Sequence, residues 1–118
     1  MKRDPRKLLW DAREAVDAIA SFTQGKSASD YAESHLLRSA VERQFEIIGE
    51  ALARLAKANA AMAAQIPMLR SIIGFRNILI HGYATVNDDM VWRTIQEDLR
   101  PLRMVLDTLL GTEGEERG

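Results

Sequence analysis

The chain has no cysteine. This excludes a disulfide staple and any thiolate nucleophile or metal ligand, and it suits a reducing, cytoplasmic setting. No apolar run approaches the roughly 20 residues of a membrane-spanning helix, so no membrane association is expected. The basic start, MKRDPRKLLW, is followed by no apolar signal core or small-residue cleavage site. Only two histidines are present, and the acids are scattered. Neither a zinc-ligand spacing nor a two-metal carboxylate cluster can be read from them. No metal and no cofactor are expected.

Acid is also missing from one long stretch. Between Ala51 and Val86 there is no Asp or Glu, whereas Arg54, Lys57, Arg70, Arg76 and His81 all fall there. A net charge of −1 gives the whole molecule no pull on nucleic acid. A local positive field of this kind still attracts phosphates. Chance clustering on a helix-rich surface would produce the same pattern.

What is present is helix. The 118 residues are 47% hydrophobic, enough for one domain with a real core. Few stretches alternate as strands do, and the three prolines sit near element starts or kinks. Asp4-Pro5 reads as an N-cap with proline at the first helical position. Leu8, Ala12, Ala15, Ile19 and Phe22 then follow at steps of three and four, and Gly25 reads as a stop. The next helix is expected from Ser29 or Asp30 to about Asn59, with Leu37, Val41, Phe45, Ile48, Leu52 and Leu55 in one row. Leu36, Ala40, Ile47 and Ala51 widen that row. The Ala-rich KANAAMAAQ either extends this helix or links it to the next. Pro67 is expected to open a third helix that ends near His81, with Gly82 as its stop. Asn87-Asp88-Asp89 caps a fourth, and Pro101 should kink it. The prediction is an all-α fold, an up-and-down antiparallel four-helix bundle over residues 1–110. A polar, Gly-rich, flexible tail over 111–118 follows.

The third helix poses the chemical question. In FRNILIHGY, the apolar run of Ile78, Leu79 and Ile80 is flanked by Arg76, Asn77, His81 and Tyr83. On a projection at about 100° per residue, Arg70, Gly74, Asn77 and His81 share one stripe, and Arg76 lies with Ile73 and Ile80 on another. A helix apolar nearly all round is buried or sits at a subunit seam. Arginine is rarely buried unpaired, which makes Glu46 or Glu50 of the preceding helix a candidate partner for Arg76. Arg76 and His81 stand about 140° apart on a regular helix. Either the helix unwinds at Gly82 and re-aims His81, or two chains pair so that each completes the other's cleft. The second solution is favoured. Gly49 and Gly74 lie inside helices at a cost of about 1 kcal/mol each, which points to close helix approach.

RNILIHGY resembles the Arg-x4-His-x-Tyr signature of HepT-like toxins in the HEPN superfamily (higher eukaryotes and prokaryotes nucleotide-binding). ERQFEIIGEA and VWRTIQEDLRPL look like two further blocks of that group, in the right order, so the likeness covers nearly the whole chain. The resemblance implies a small helical bundle that dimerises and cleaves RNA without metal. It also implies a toxin paired with a minimal nucleotidyltransferase antitoxin that transfers AMP to the motif tyrosine, here Tyr83. The alternative within the same family is a non-catalytic module that binds a nucleotide or docks on a nucleotidyltransferase.

The residue types fit the implied chemistry. Metal-free RNA cleavage needs a base for the 2′-hydroxyl proton, an acid for the leaving 5′-oxygen and positive charge for the phosphorane. Histidine titrates near neutrality and suits the proton steps. A guanidinium stays charged and grips two oxygens at once. Arg76 and His81 are therefore the catalytic candidates. Asn77 is a candidate for orienting His81 or for plain packing, Arg70 a candidate phosphate contact, and Tyr83 the modification candidate. His81 as a helix cap at a seam, and Tyr83 as a packed ring with a free hydroxyl, are the duller alternatives. His35 reads as a solvated helix residue.

Overall fold

The computed structural model describes residues 4–82 and 86–117, with side chains as far as Gly111. Every regular element among them is helical: α1 Pro5–Thr23, α2 Ala28–Glu33, α3 His35–Ala58, α4 Ala60–Ala63, α5 Leu69–His81 and α6 Asp88–Arg117. The four long helices are the four expected from the sequence, and two short ones are interposed.

Local chemistry sets most boundaries. The Asp4 carboxylate accepts from the Arg6 N–H and caps α1, with Pro5 at its first turn. Gly25 turns the chain with a φ of 73°, a conformation that favours glycine. The Asn87 side chain accepts from the N–H groups of Asp89 and Met90 and caps α6.

Two helix starts differ from the sequence expectation. The second helix does not run unbroken from Ser29. Ser27 and Asp30 form a reciprocal capping box that starts α2 earlier, and Ser34 then caps α3 through the Leu37 N–H. Two capping serines seven residues apart cut the expected helix in two. Asn59 ends α3 where expected and caps the one-turn α4 through the Met62 N–H, so KANAAMAAQ is a helical linker rather than an extension. Pro67 does not open α5; it lies two residues upstream, and Met68 occupies the cap position without a side-chain bond.

The last helix runs through Pro101 and into the Gly-rich end. Pro101 is exposed, so the Glu97 carbonyl deprived of its donor lies on the side that water reaches.

The α3 helix is the centre of the molecule. It packs against α1 on one side and α5 on another, while α1 also pairs with α6 and α2 bridges α3 and α6. Val41, Phe45, Ile48, Leu52 and Leu55 of α3 are fully buried, joined by Leu9 and Ile19 of α1, Ile72 of α5 and Leu102 and Leu106 of α6. Each such side chain contributes about 1.5–3 kcal/mol through burial. Phe45 meets Phe75 edge-on at 5.0 Å between ring centroids, which locks α3 to α5. Leu36 is an exception to the expected row: it is 80% exposed. The antiparallel pairing of α1 and α6 is visible in three contacts, Arg6 with the Leu110 carbonyl, Arg13 with Asp107, and Arg103 with Asp17.

Candidate functional site

The α5 helix stays regular from Leu69 to His81. His81 is its last residue, and the Gly82 N–H donates to the Ile78 carbonyl at 2.8 Å. The helix therefore does not unwind to re-aim His81, and Arg76 and His81 remain about 140° apart around the axis.

Arg76 faces α3. An added Cβ on Gly49 would stand 2.2 Å from Arg76 Cβ and 2.6 Å from its Cγ, so the missing side chain at Gly49 is what admits the arginine stem. Close approach was expected at both helical glycines. It occurs at Gly49; at Gly74 an added Cβ would meet nothing within 4 Å.

The head of Arg76 is held at two points. Its Nη2 donates to Glu50 Oε2 at 2.6 Å, and its Nη1 donates to Asn77 Oδ1 at 2.9 Å. The other Glu50 oxygen, Oε1, accepts from Arg54 Nε at 2.9 Å. One carboxylate thus joins two guanidinium groups. The hydrogen bond from Arg54, outweighing partial burial and assisted by the charge of Arg76, holds the Glu50 carboxyl below its ordinary range.

Glu50, Arg54 and Arg76 line an open groove of about 620 Å³ between α1, α3 and α5. Asp11 and Glu14 border it on α1, Arg43 and Glu46 on α3, and Ile80 on α5. Arg43 and Glu46 also face each other, at 3.4 Å. The groove combines arginines and carboxylates, with Arg76 only 25% exposed at its wall.

The sequence candidates do not converge within one chain. Arg76 is at the groove. Arg70, Asn77 and His81 are exposed, and none of the three lines the groove. Asn77 takes a role that neither sequence expectation named: it accepts from Arg76. Tyr83 lies outside the described residues. His35 is exposed, as expected.

Glu50 was foreseen only as a salt-bridge partner for Arg76, and Arg54 only as part of the acid-free stretch. Their i,i+4 spacing was the available signal. Among the described residues, no three His, Cys, Asp or Glu side chains gather as a metal would need. No helix among them is long and apolar enough to cross a membrane.

The family described as Ribonuclease HepT-like matches this chain over residues 12–109. The chain belongs to that family. Three relatives are similar along almost their whole length. A protein of Thermococcus cleftensis named "Probable ribonuclease HepT" is 33% identical over 103 residues, covering 87% of this chain and 93% of the relative. A candidate RNase of Caldanaerobacter subterraneus subsp. tengcongensis is 30% identical over 111 residues, covering 94% and 98%. A candidate RNase of Methanocaldococcus jannaschii is 29% identical over 102 residues, covering 86% and 93%. No solved structure matches at a significant level. The HepT-like stretch takes in the whole groove wall on α3 and α5, including Glu50, Arg54 and Arg76, as well as His81.

Proposed function

We propose that this HepT-like protein is a metal-independent RNA endonuclease, active as a homodimer and serving as the toxin of a toxin–antitoxin pair. The observation that carries the reading is the Arg76 guanidinium, fixed at the wall of a groove by Glu50 and Asn77 within an Arg-x4-His motif.

In the proposed reaction one His81 imidazole takes the proton of a ribose 2′-hydroxyl. The 2′-oxygen attacks the adjacent phosphorus, and Arg76 neutralises the charge gathering on the phosphorane oxygens. The P–O5′ bond breaks, and a second His81, protonated, gives its proton to the leaving 5′-oxygen. The products are a 2′,3′-cyclic phosphate and a free 5′-hydroxyl.

Two histidines and a cleft containing both residue types call for two chains. The regular α5 supports this, because it points Arg76 and His81 to different sides. So do Ile78, 36% exposed, and the empty space beside Gly74, on the same side of that helix. A two-fold seam along α5 would cover them.

Control is assigned to a nucleotidyltransferase partner that moves AMP from ATP to the Tyr83 hydroxyl, with pyrophosphate leaving. Tyr83 is two residues beyond His81, near enough for a nucleotide to block RNA entry. The deciding experiment is cleavage of RNA in EDTA by purified protein, with analysis of the product ends. Cyclic phosphate ends from wild type, and none from Arg76→Ala or His81→Ala, are expected. Cleavage that requires magnesium would overturn the mechanism, and sedimentation as a monomer at micromolar concentration would overturn the composite site.

A further inference from the structure

Arg54 stands outside the Arg-x4-His motif, yet it shares an anion with Arg76. Arg54 Nε binds one oxygen of Glu50 at 2.9 Å and Arg76 Nη2 binds the other at 2.6 Å. Two guanidinium groups converging on the two oxygens of one carboxylate have the arrangement that grips two non-bridging oxygens of a phosphate. The surroundings suit an exchange. The three groups line an open groove, and Arg54 and Glu50 are 59% and 43% exposed, so both side chains have room to turn. Arg76 does not have that freedom, because its stem lies against Gly49 and its other nitrogen is held by Asn77.

We propose that Arg54 is a second phosphate-binding cation of the RNA site and that Glu50 is the internal anion an RNA phosphate displaces. The free protein then keeps its clamp closed on its own carboxylate. RNA binding swings Glu50 aside and leaves Arg54 and Arg76 on one phosphodiester. Glu50 lowers affinity for RNA and, in exchange, keeps two like charges together in the empty groove.

The inference rests on RNA being the ligand, so binding and cleavage are measured separately. The probe is a single-stranded oligoribonucleotide with 2′-O-methyl riboses, which has no 2′-hydroxyl to attack. Its affinity is measured by fluorescence anisotropy from about 50 to 200 mM salt, where each phosphate contact adds about 0.7 to the slope of log affinity against log salt. Arg54→Gln is expected to weaken binding several-fold and to flatten the slope by about that amount. Glu50→Gln, which keeps the side-chain shape, is expected to tighten binding several-fold. Arg100→Gln, an exposed charge removed from α6, should leave the slope as it is.

An unchanged slope for Arg54→Gln, or weaker binding by folded Glu50→Gln, overturns the proposal. If Glu50→Gln fails to fold, the Arg54→Gln slope decides alone. Wild-type protein that binds the probe but cuts no natural RNA overturns the nuclease reading and leaves the clamp intact. Wild type that cuts RNA while Arg54→Gln keeps the full slope does the reverse. Failure of wild type to bind the probe overturns both.

Discussion

Gly49 and Arg76 are in contact because one of them has no side chain: a Cβ on Gly49 would fall 2.2 Å from Arg76 Cβ. Cβ is the least movable part of an arginine, so rotation of the head cannot relieve the clash. Gly49→Ala should therefore push α3 and α5 apart and cost about 1–3 kcal/mol, as overpacking does. Cleavage should fall with it, since the shift moves the Arg76 stem from its place at the groove wall. Gly74→Ala meets nothing within 4 Å and should gain up to about 1 kcal/mol of helix propensity within a protomer. Urea unfolding of both variants, with sedimentation alongside, measures the difference.

His81→Ala should lose at least about a hundredfold in cleavage, the usual scale for removal of a general acid or base. His81 is exposed at the end of α5, so helix content and melting temperature should stay near wild type. His35→Ala removes the other histidine, also exposed, and should change neither. Equal loss from both variants would point to a nuclease contaminant or a generic effect of charge.

Asp98 offers a test of stability against pH. Burial, then the neighbouring charge of Glu97, pushes its carboxyl above the ordinary value. A carboxyl raised in the folded state favours its protonated form there. Its ionisation works against folding at neutral pH, and that penalty disappears as pH falls below about 4. Asp98→Asn should accordingly raise the melting temperature at pH 7 and give no advantage at acid pH. Glu50 has the opposite sign: its carboxyl is held low, so its contribution is present at neutral pH and is lost as pH falls through its folded value.

Tyr83→Phe should retain nuclease activity and escape control by the nucleotidyltransferase. Intact-mass measurement after incubation with partner and ATP should show added AMP on wild type alone. A Tyr83→Phe protein that is modified and silenced like wild type would place the acceptor elsewhere.

Much of the fold was legible because helices announce their own ends. Asp4-Pro5, Gly25, Gly82 and Asn87 each act within a few residues of themselves, and each sits where the sequence placed it. The break at Ser34 was harder to see. A serine inside a helical pattern is common, and only its bond to the Leu37 N–H makes it a cap. The site was legible in part. Helical projection correctly set Arg76 and His81 on different faces, and charge pairing suggested Glu50. Projection describes one helix and says nothing of what another brings to it. The bond from Arg76 to Glu50 spans 26 positions, and only the packing of α5 on α3 makes it. Asn77 was open between orienting His81 one turn on and plain packing, whereas its nearer neighbour Arg76 took the bond.

The pairing of α1 with α6 also bears on modularity. Arg6 Nη1 donates to the Leu110 carbonyl at 2.9 Å across 104 positions of sequence, so the first turn of the bundle and its last core residues are neighbours in space. A domain closed in this way can be joined to another protein at either end, or linked end to end and reopened in a surface turn, without moving any core helix. The exposed turn at Ala64 and Gln65, between α4 and α5, is a natural place for such an opening. A permutant starting there would keep α3 beside α5 and leave the groove with Glu50, Arg54 and Arg76 built from the same walls.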